Sequence, residues 1–330
     1  MKRRTLIKHA VIGTAVGTAG LSPSEAQEVG RDDSPNRIRL SGIFVPVVTP
    51  FKNDDLSIED LRDTLRQFNR TGLTGYLALG SNAEFRSLMD TERMRVLEVF
   101  TAEKGDKVVL AGTACESTRE TIVKSREAAR MGFDYVIILT PSYFAKRMNG
   151  PTIKDYYLRI AEAITIPVLL YDAPQYASGV QIPPKIVTDL SRHPNIVGMK
   201  ESSAIGPGPV LDVLDPDVDF SVLAGSANFM YPSFKLGASG GVTALGNVLP
   251  EPCCELYRLF RAGRNEKGLA LHRRLSRLNT AISGALGVSG IKAAMDMLGF
   301  RGGEPRHPLK PVSAEIREAI RSLLKHEGFI

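Results

Sequence analysis

The chain has 330 residues, of which 43% are hydrophobic and 24% charged, and its formal net charge is +6. This composition is typical of a soluble globular protein, and the length suits one large domain with extensions or two average domains. Half of the net charge lies before residue 27, where four basic residues face one acidic residue. The remainder is too small and dispersed to predict nucleic acid binding. Three cysteines, two of them adjacent, and five scattered histidines predict neither a disulfide framework nor a metal site.

The first 26 residues have the features of an export signal. The pair Arg3-Arg4 precedes an apolar stretch over 10–21, and Ser24-Glu25-Ala26 places small residues where a signal peptidase reads them. This arrangement resembles a twin-arginine signal, which predicts export to the bacterial periplasm, with a cytoplasmic location if the signal is not used. The apolar stretch has 12 residues, too few to span a bilayer, so we expect no stable membrane insertion after signal removal. A tail without fixed structure and an uncleaved anchor at the membrane surface are the alternatives.

A polar linker over 27–41 leads to eight short apolar runs, which alternate with amphipathic helical patterns as far as residue 262. Continuous apolar runs of this length are typical of parallel strands buried on both faces. Eight strand–helix units in about 220 residues match the size of a TIM barrel. We therefore predict an α/β fold, a (β/α)8 barrel over 42–262, with strands at 42–49, 75–80, 107–113, 134–140, 167–172, 195–200, 220–225 and 240–245. An open, doubly wound sheet is the alternative, but no glycine-rich nucleotide fingerprint follows any of these runs.

Only helical patterns follow the eighth apolar run. The first of them is the expected last helix of the barrel. The later ones predict a C-terminal helical extension over 263–330.

Lys200 is the most informative residue at the predicted strand ends, where barrel enzymes place their chemistry. It ends the apolar run Ile196-Val197-Gly198-Met199, so its amine is expected to be partly desolvated, which disfavours the ammonium and lowers the pKa. A neutral amine attacks a ketone to form an imine, and the protonated imine is an electron sink for breaking the adjacent C–C bond. A lysine whose ammonium reaches solvent from the strand end is the alternative.

Polar residues at the ends of other strands complete a candidate rim. Ser81 and Asn82 follow the second strand, where backbone N–H groups, a hydroxyl and an amide form a carboxylate site; simple helix capping is the alternative. Tyr171 lies at the end of the fifth strand, and Tyr143 follows the fourth. Both are candidates to relay protons, or else packed aromatic residues with a satisfied hydroxyl. The combination of one lysine, two tyrosines and one anion pocket favours an active site.

At these residues the chain resembles the dihydrodipicolinate synthase/N-acetylneuraminate lyase family, from Gly42 to about Ser313. Within that family it is most similar to the 4-hydroxy-2-oxoglutarate aldolases. The stretches that carry the resemblance are GSNAEF (80–85), LAGTACEST (110–118), TPSYF (140–144), HPNIVGMKES (193–202), VLAGSA (222–227) and LGASGGVTALGNVL (236–249).

The resemblance implies a role for each residue that matches its motifs. Lys200 is the Schiff-base lysine, Tyr171 is the proton-relay tyrosine, and Tyr143 is the second tyrosine, which family members lend across a subunit interface. The resemblance further implies that Ser81 and Asn82 hold the carboxylate of a small-molecule 2-keto acid. It implies a homo-oligomer, dimeric or tetrameric, and catalysis without a metal or organic cofactor.

Ser202, two residues past the lysine, is implied to contact the second substrate. Two departures from the family pattern bear on specificity. Ala83 stands where family members usually have glycine, and the segment 174–179 lacks the arginine with which dihydrodipicolinate synthases hold the second substrate's carboxylate.

The sequence therefore predicts reversible cleavage of 4-hydroxy-2-oxoglutarate, or a similar 4-hydroxy-2-keto acid, to pyruvate and an aldehyde such as glyoxylate. An aldolase or dehydratase for 2-keto-3-deoxy sugar acids uses the same lysine and is one alternative; dihydrodipicolinate synthase is another. An exported keto-acid-binding protein without catalysis is the alternative from a different class, which the lysine and both tyrosines disfavour.

Overall fold

A computed structural model describes residues 40–330. The predicted export signal over 1–26 and most of the predicted linker lie outside the described residues. Within residues 40–330, every helix is too short or too polar to cross a lipid bilayer.

Eight parallel strands form a closed barrel, and each lies at one of the eight predicted runs. A short antiparallel hairpin, β2 and β3, follows the first barrel strand. In chain order the strands are β1 (Gly42–Pro46), β2 (Phe51–Lys52), β3 (Asp55–Leu56), β4 (Gly75–Ala78), β5 (Val108–Gly112), β6 (Tyr135–Leu139), β7 (Val168–Asp172), β8 (Ile196–Glu201), β9 (Ser221–Ala224) and β10 (Gly240–Val242). Apart from the hairpin, each strand pairs with the next along the chain, and β10 closes the barrel on β1. The predicted TIM barrel is confirmed.

Helices follow the barrel strands and then continue past the barrel. They are α1 (Ile58–Phe68), α2 (Asp90–Glu103), α3 (Thr118–Arg130), α4 (Gly150–Ala163), α5 (Pro184–Ser191), α6 (Gly208–Leu211), α7 (Met230–Lys235), α8 (Pro250–Arg261), α9 (Asn265–Asn279), α10 (Ala285–Met297) and α11 (Ala314–His326). A π-helical turn, Thr280–Gly284, joins α9 to α10. Helices α9, α10 and α11 form the predicted C-terminal helical extension.

The barrel strands are apolar throughout because both of their faces are covered. In β6, Tyr-Val-Ile-Ile-Leu, every residue is buried, so the alternation of polar and apolar residues that marks a half-exposed strand is absent. Residues at the same register position on neighbouring strands point to the same face. The register pairs Tyr171 with Lys200, and Asp172 with Glu201 one position further, so these two pairs lie on opposite faces of the sheet.

Candidate active site

Lys200 lies near the end of β8 and is buried, with 3% of its surface exposed. Its Nζ is 4.3 Å from the ring centroid of Tyr171, its register partner on β7. Among residues 40–330 no carboxylate lies within ion-pair distance of this amine. Burial alone lowers the pKa of Lys200 to about 7. Because nothing compensates the buried charge, a large fraction of the amine is neutral near pH 7.

The Tyr171 hydroxyl connects the lysine strand to the turn after β4. Its oxygen is 3.4 Å from Oγ of Ser81. Burial raises the pKa of Tyr171 to about 12, while the hydroxyls of Ser81 and Ser202 oppose this shift. The phenol is therefore protonated at neutral pH, and in a chain of hydroxyls it accepts one proton while passing on its own.

The turn after β4 presents Ser81 and Asn82 at the barrel mouth. It is a single 3-10 turn, Ser81–Ala83, preceded by an extended Gly80 and followed by Glu84 in the left-handed conformation. The first N–H groups of such a turn have no acceptor within it, so they are available to an anion. The backbone at Ala83 is helical and its side chain is buried. An alanine therefore fits here without the positive φ that favours glycine.

Ser202 follows Lys200 by two residues, and its position depends on a close approach between the backbone segments that follow neighbouring barrel strands. Its carbonyl accepts a hydrogen bond from the side-chain amide of Gln175 at 3.0 Å, which places the arginine-free segment 174–179 beside the lysine strand. A Cβ atom at Gly225 would lie 1.8 Å from Oγ of Ser202 and 2.6 Å from the carbonyl oxygen of Glu201. Gly225 is therefore required for this packing.

Tyr143 lies apart from these residues. It is 80% exposed, and its ring packs edge-on against Phe144, which is also exposed. Its backbone N–H and that of Ser142 donate to the Glu116 carboxylate, at 2.9 and 3.0 Å. The fold thus brings Lys200, Tyr171 and Ser81 together, with Ser202 and Asn82 adjacent, but within one chain it leaves Tyr143 on the surface.

A buried carboxyl pair, Asp172 and Glu201, was missed by the sequence analysis. Oδ1 of Asp172 accepts the N–H of Ile182 at 3.3 Å, and Oε1 of Glu201 accepts the N–H of Ser203 at 2.5 Å. Burial, and then the neighbouring Glu201, raise the pKa of Asp172 to about 8, and burial raises the pKa of Glu201. Two adjacent carboxylates are not readily ionised together in such a site, so one of the pair is expected to be protonated at neutral pH. Each side chain also accepts a backbone N–H from the segment after its own strand.

The signal for this pair is present in the sequence. Asp172 and Glu201 directly follow Tyr171 and Lys200, so pairing those two residues in register also pairs the acids. Within the described residues, no group of three or more histidine, cysteine or acidic side chains is arranged to hold a metal ion.

Known proteins resemble this chain over nearly its whole described length. The model of the dihydrodipicolinate synthetase family matches residues 39–327. A 4-hydroxy-tetrahydrodipicolinate synthase of Methanothrix thermoacetophila is 34% identical over 289 residues, 86% of this chain and 95% of that protein. A putative mitochondrial 4-hydroxy-2-oxoglutarate aldolase of Coccidioides immitis is 29% identical, over 87% of this chain and 96% of that one.

Similar solved structures include members of the same family as these sequence relatives. The crystal structure of dihydrodipicolinate synthase from Thermotoga maritima superposes with a TM-score of 0.83 at 26% identity, and the match covers 88% of this chain and 100% of that one. The family resemblance drawn from the motifs is confirmed. The chain belongs to the dihydrodipicolinate synthetase family and is a lyase of the aldolase kind.

Proposed function

We propose that this protein is a Schiff-base aldolase that cleaves 4-hydroxy-2-keto acids, with 4-hydroxy-2-oxoglutarate as the leading substrate, to pyruvate and an aldehyde such as glyoxylate. The observation that carries the proposal is the setting of Lys200, a buried amine that forms no ion pair within residues 40–330 and whose Nζ lies 4.3 Å from the Tyr171 ring. A neutral amine in this position is a nucleophile for a ketone.

The proposed reaction gives each group of the site a defined role. The Lys200 amine attacks C2 of the substrate, one proton is taken from solvent and water leaves, which forms a protonated imine. The 4-hydroxyl proton passes to the Tyr171 hydroxyl while Tyr171 passes its own proton to Ser81 and on to solvent, the C3–C4 bond breaks, and its electron pair moves into the imine to give an enamine and the free aldehyde. Protonation of the enamine at C3 and attack by water on the imine then release pyruvate and regenerate the amine. Ser81 and Asn82 bind the carboxylate next to the ketone.

The distal end of the substrate is the basis for choosing among family reactions. An arginine binds a second carboxylate bidentately, but segment 174–179 contains none. Arg86, beyond the Ser81 turn, is paired with Glu116 at 3.2 Å. Ser202 therefore supplies the distal polar contact in our proposal. Relatives named as synthases favour dihydrodipicolinate synthase as the second candidate, and the missing arginine is the feature that disfavours it.

Trapping and a kinetic comparison test this assignment. Borohydride added with pyruvate is expected to leave a stable adduct on the peptide that contains Lys200, as read by mass spectrometry, because borohydride reduces the imine. We expect kcat/KM for 4-hydroxy-2-oxoglutarate to be measurable and similar, within about tenfold, for other 4-hydroxy-2-keto acids, because a site without a matching charge discriminates modestly. Condensation of pyruvate with aspartate semialdehyde should be negligible.

The two measurements separate the mechanism from the substrate. Labelling of a different lysine would contradict the Schiff-base role of Lys200. Labelling of Lys200 together with a higher kcat/KM for aspartate semialdehyde would keep the mechanism and replace the substrate. A strong preference for a 2-keto-3-deoxy sugar acid would do the same in favour of the sugar-acid aldolases.

We also propose that residues 1–26 direct export by the twin-arginine route. The support is the pair Arg3-Arg4 ahead of a weakly apolar stretch and the small residues around Ser24-Glu25-Ala26. In a bacterial host with this route, the mature protein is expected to begin near Gln27 and to appear in the periplasm. Changing Arg3 and Arg4 to lysine should retain the precursor inside. Full-length protein found in the cytoplasm alone, with the arginines intact, would refute the proposal.

The role of Tyr143 stays a prediction that depends on assembly. The exposed pair of Tyr143 and Phe144 supports a homo-oligomer in which this segment packs against a second copy of the chain, because large exposed aromatic residues are enriched at protein interfaces.

A further inference from the structure

A second buried lysine, Lys292, lies in the C-terminal extension and is bound in a different way from Lys200. It is on α10 and 1% exposed. Its Nζ donates to the Thr49 carbonyl at 2.7 Å, to the Glu304 carbonyl at 2.7 Å and to Oε1 of Glu84 at 2.6 Å. All three N–H bonds of an ammonium are thereby used. Burial lowers the pKa of Lys292 to about 8 while Glu84 opposes this shift, so at neutral pH this amine is mainly a charged donor rather than a nucleophile.

Its partner Glu84 is the residue that ends the carboxylate-binding turn. Glu84 directly follows Ser81–Ala83 and has φ 52° and ψ 37°. This left-handed conformation is uncommon for residues other than glycine, asparagine and aspartate, so it requires support from the surroundings. Both carboxylate oxygens are bound, Oε1 by Lys292 and Oε2 by the backbone N–H of Arg306 at 2.8 Å.

The segment that holds Glu84 is itself firmly attached. The Arg306 guanidinium makes two hydrogen bonds to Glu92, at 2.6 and 2.7 Å. Both Arg306 and Lys292 lie over the ring of Phe51, at 4.3 and 4.6 Å from its centroid. The N–H of Glu304 donates to the Phe51 carbonyl at 2.9 Å. The extension is thus joined to the barrel at the segment after β1 and at the turn after β4.

We propose that Lys292 and Glu84 are positioning residues that hold the Ser81–Ala83 turn in the conformation that receives the substrate carboxylate, so that the C-terminal extension is part of the binding site. A fully buried ion pair contributes little net stability compared with apolar residues of the same size. We therefore infer that the main effect of this pair is to select one conformation of the turn. This inference rests on the proposed function, because it assigns the keto-acid carboxylate to Ser81 and Asn82.

The test compares two ketones that differ in charge at one end. Pyruvate has the carboxylate, and methyl pyruvate replaces it with a neutral ester. The double variant Glu84→Gln/Lys292→Met removes both charges, so no unpaired buried charge remains. Glutamine keeps the length of Glu84, and methionine is one atom shorter than Lys292. We measure the concentration of each ketone that gives half-maximal borohydride trapping on Lys200, and the limiting trapping rate at saturation.

The double variant is expected to need roughly tenfold more pyruvate for half-maximal trapping, and nearly the same concentration of methyl pyruvate. Its limiting trapping rate should lie within about threefold of that of the unmodified protein. The matched control is Arg277→Met/Glu327→Gln, which removes an ion pair of 2.6 Å within the extension. That control should keep the preference for pyruvate.

The outcomes distinguish this inference from the proposed function. If the unmodified protein traps no pyruvate on Lys200, the proposed function fails and the inference fails with it. If the unmodified protein traps pyruvate and the folded double variant keeps its preference over methyl pyruvate, or loses affinity for both ketones equally, the inference alone is overturned. If the double variant does not fold, Glu84→Gln alone is used, and an unchanged preference in that variant likewise overturns the inference.

Discussion

Replacing Lys200 with methionine is expected to reduce kcat/KM for a 4-hydroxy-2-keto acid at least about 1,000-fold, because the imine cannot form without the amine. The substitution is not expected to destabilise the folded protein. The Lys200 ammonium is buried and has no ion-pair partner in the described part of the chain, so a neutral side chain of similar length removes a desolvation cost. We therefore expect the melting temperature of Lys200→Met to equal or exceed that of the unmodified protein.

The role of Lys200 as a neutral nucleophile also predicts how kcat/KM of the unmodified protein depends on pH. The attacking species is the neutral amine, and the pKa of Lys200 is lowered to about 7 by burial. The neutral fraction, and with it kcat/KM, should rise between about pH 6 and about pH 8 and then level off. An ordinary exposed lysine would place this rise above about pH 9.

Two further variants identify which property of Lys200 matters. Lys200→Arg keeps a cation but supplies no neutral amine, because the arginine pKa is above about 12, and it should be as inactive as Lys200→Met. Lys185→Met makes the same change at an exposed lysine and should leave kcat/KM unchanged. Substantial turnover by Lys200→Met, together with borohydride labelling elsewhere, would contradict the assignment.

The barrel was predictable from sequence because its signal is local and repeated. Seven of the eight apolar runs contain the strand assigned to them, and β8 extends one residue past its run. Most strands end one to three residues inside the predicted boundary. Lys200 and Tyr171 were singled out because each lies in the last two positions of such a run, at the edge where barrel chemistry collects. Their mutual approach then follows from the register of β7 and β8.

What the sequence did not predict depends on contacts between distant segments. Glu84 and Lys292 are 208 positions apart, and neither lies at the end of an apolar run. A lysine within α10 has an ordinary helical environment in sequence terms, so its burial emerges only when the extension packs on the barrel. Tyr143 is a different case, because the resemblance implies that its partner residues belong to another copy of the chain. A single chain therefore does not contain the contacts that would define its role.

Replacing Tyr171 with phenylalanine is expected to reduce kcat by about 100-fold or more, which is the usual contribution of a positioned proton-transfer group. The hydroxyl removed is the one that lies 3.4 Å from Oγ of Ser81. The aromatic ring remains against Lys200, so the burial that lowers the lysine pKa is preserved. Imine formation with pyruvate should therefore remain, and borohydride trapping should proceed at close to its normal extent while turnover falls.

Tyr76→Phe is the matched control for this variant. Tyr76 is also fully buried, and its hydroxyl donates to Oδ1 of Asn69 at 2.7 Å, at the end of α1. Its loss should cost roughly 1 kcal/mol of stability and leave kcat within about threefold. If Tyr171→Phe retained a comparable kcat, the proton relay would have to run through another group. If Tyr171→Phe lost trapping as well as turnover, the hydroxyl would already be needed for imine formation, because the ring that desolvates Lys200 is still in place.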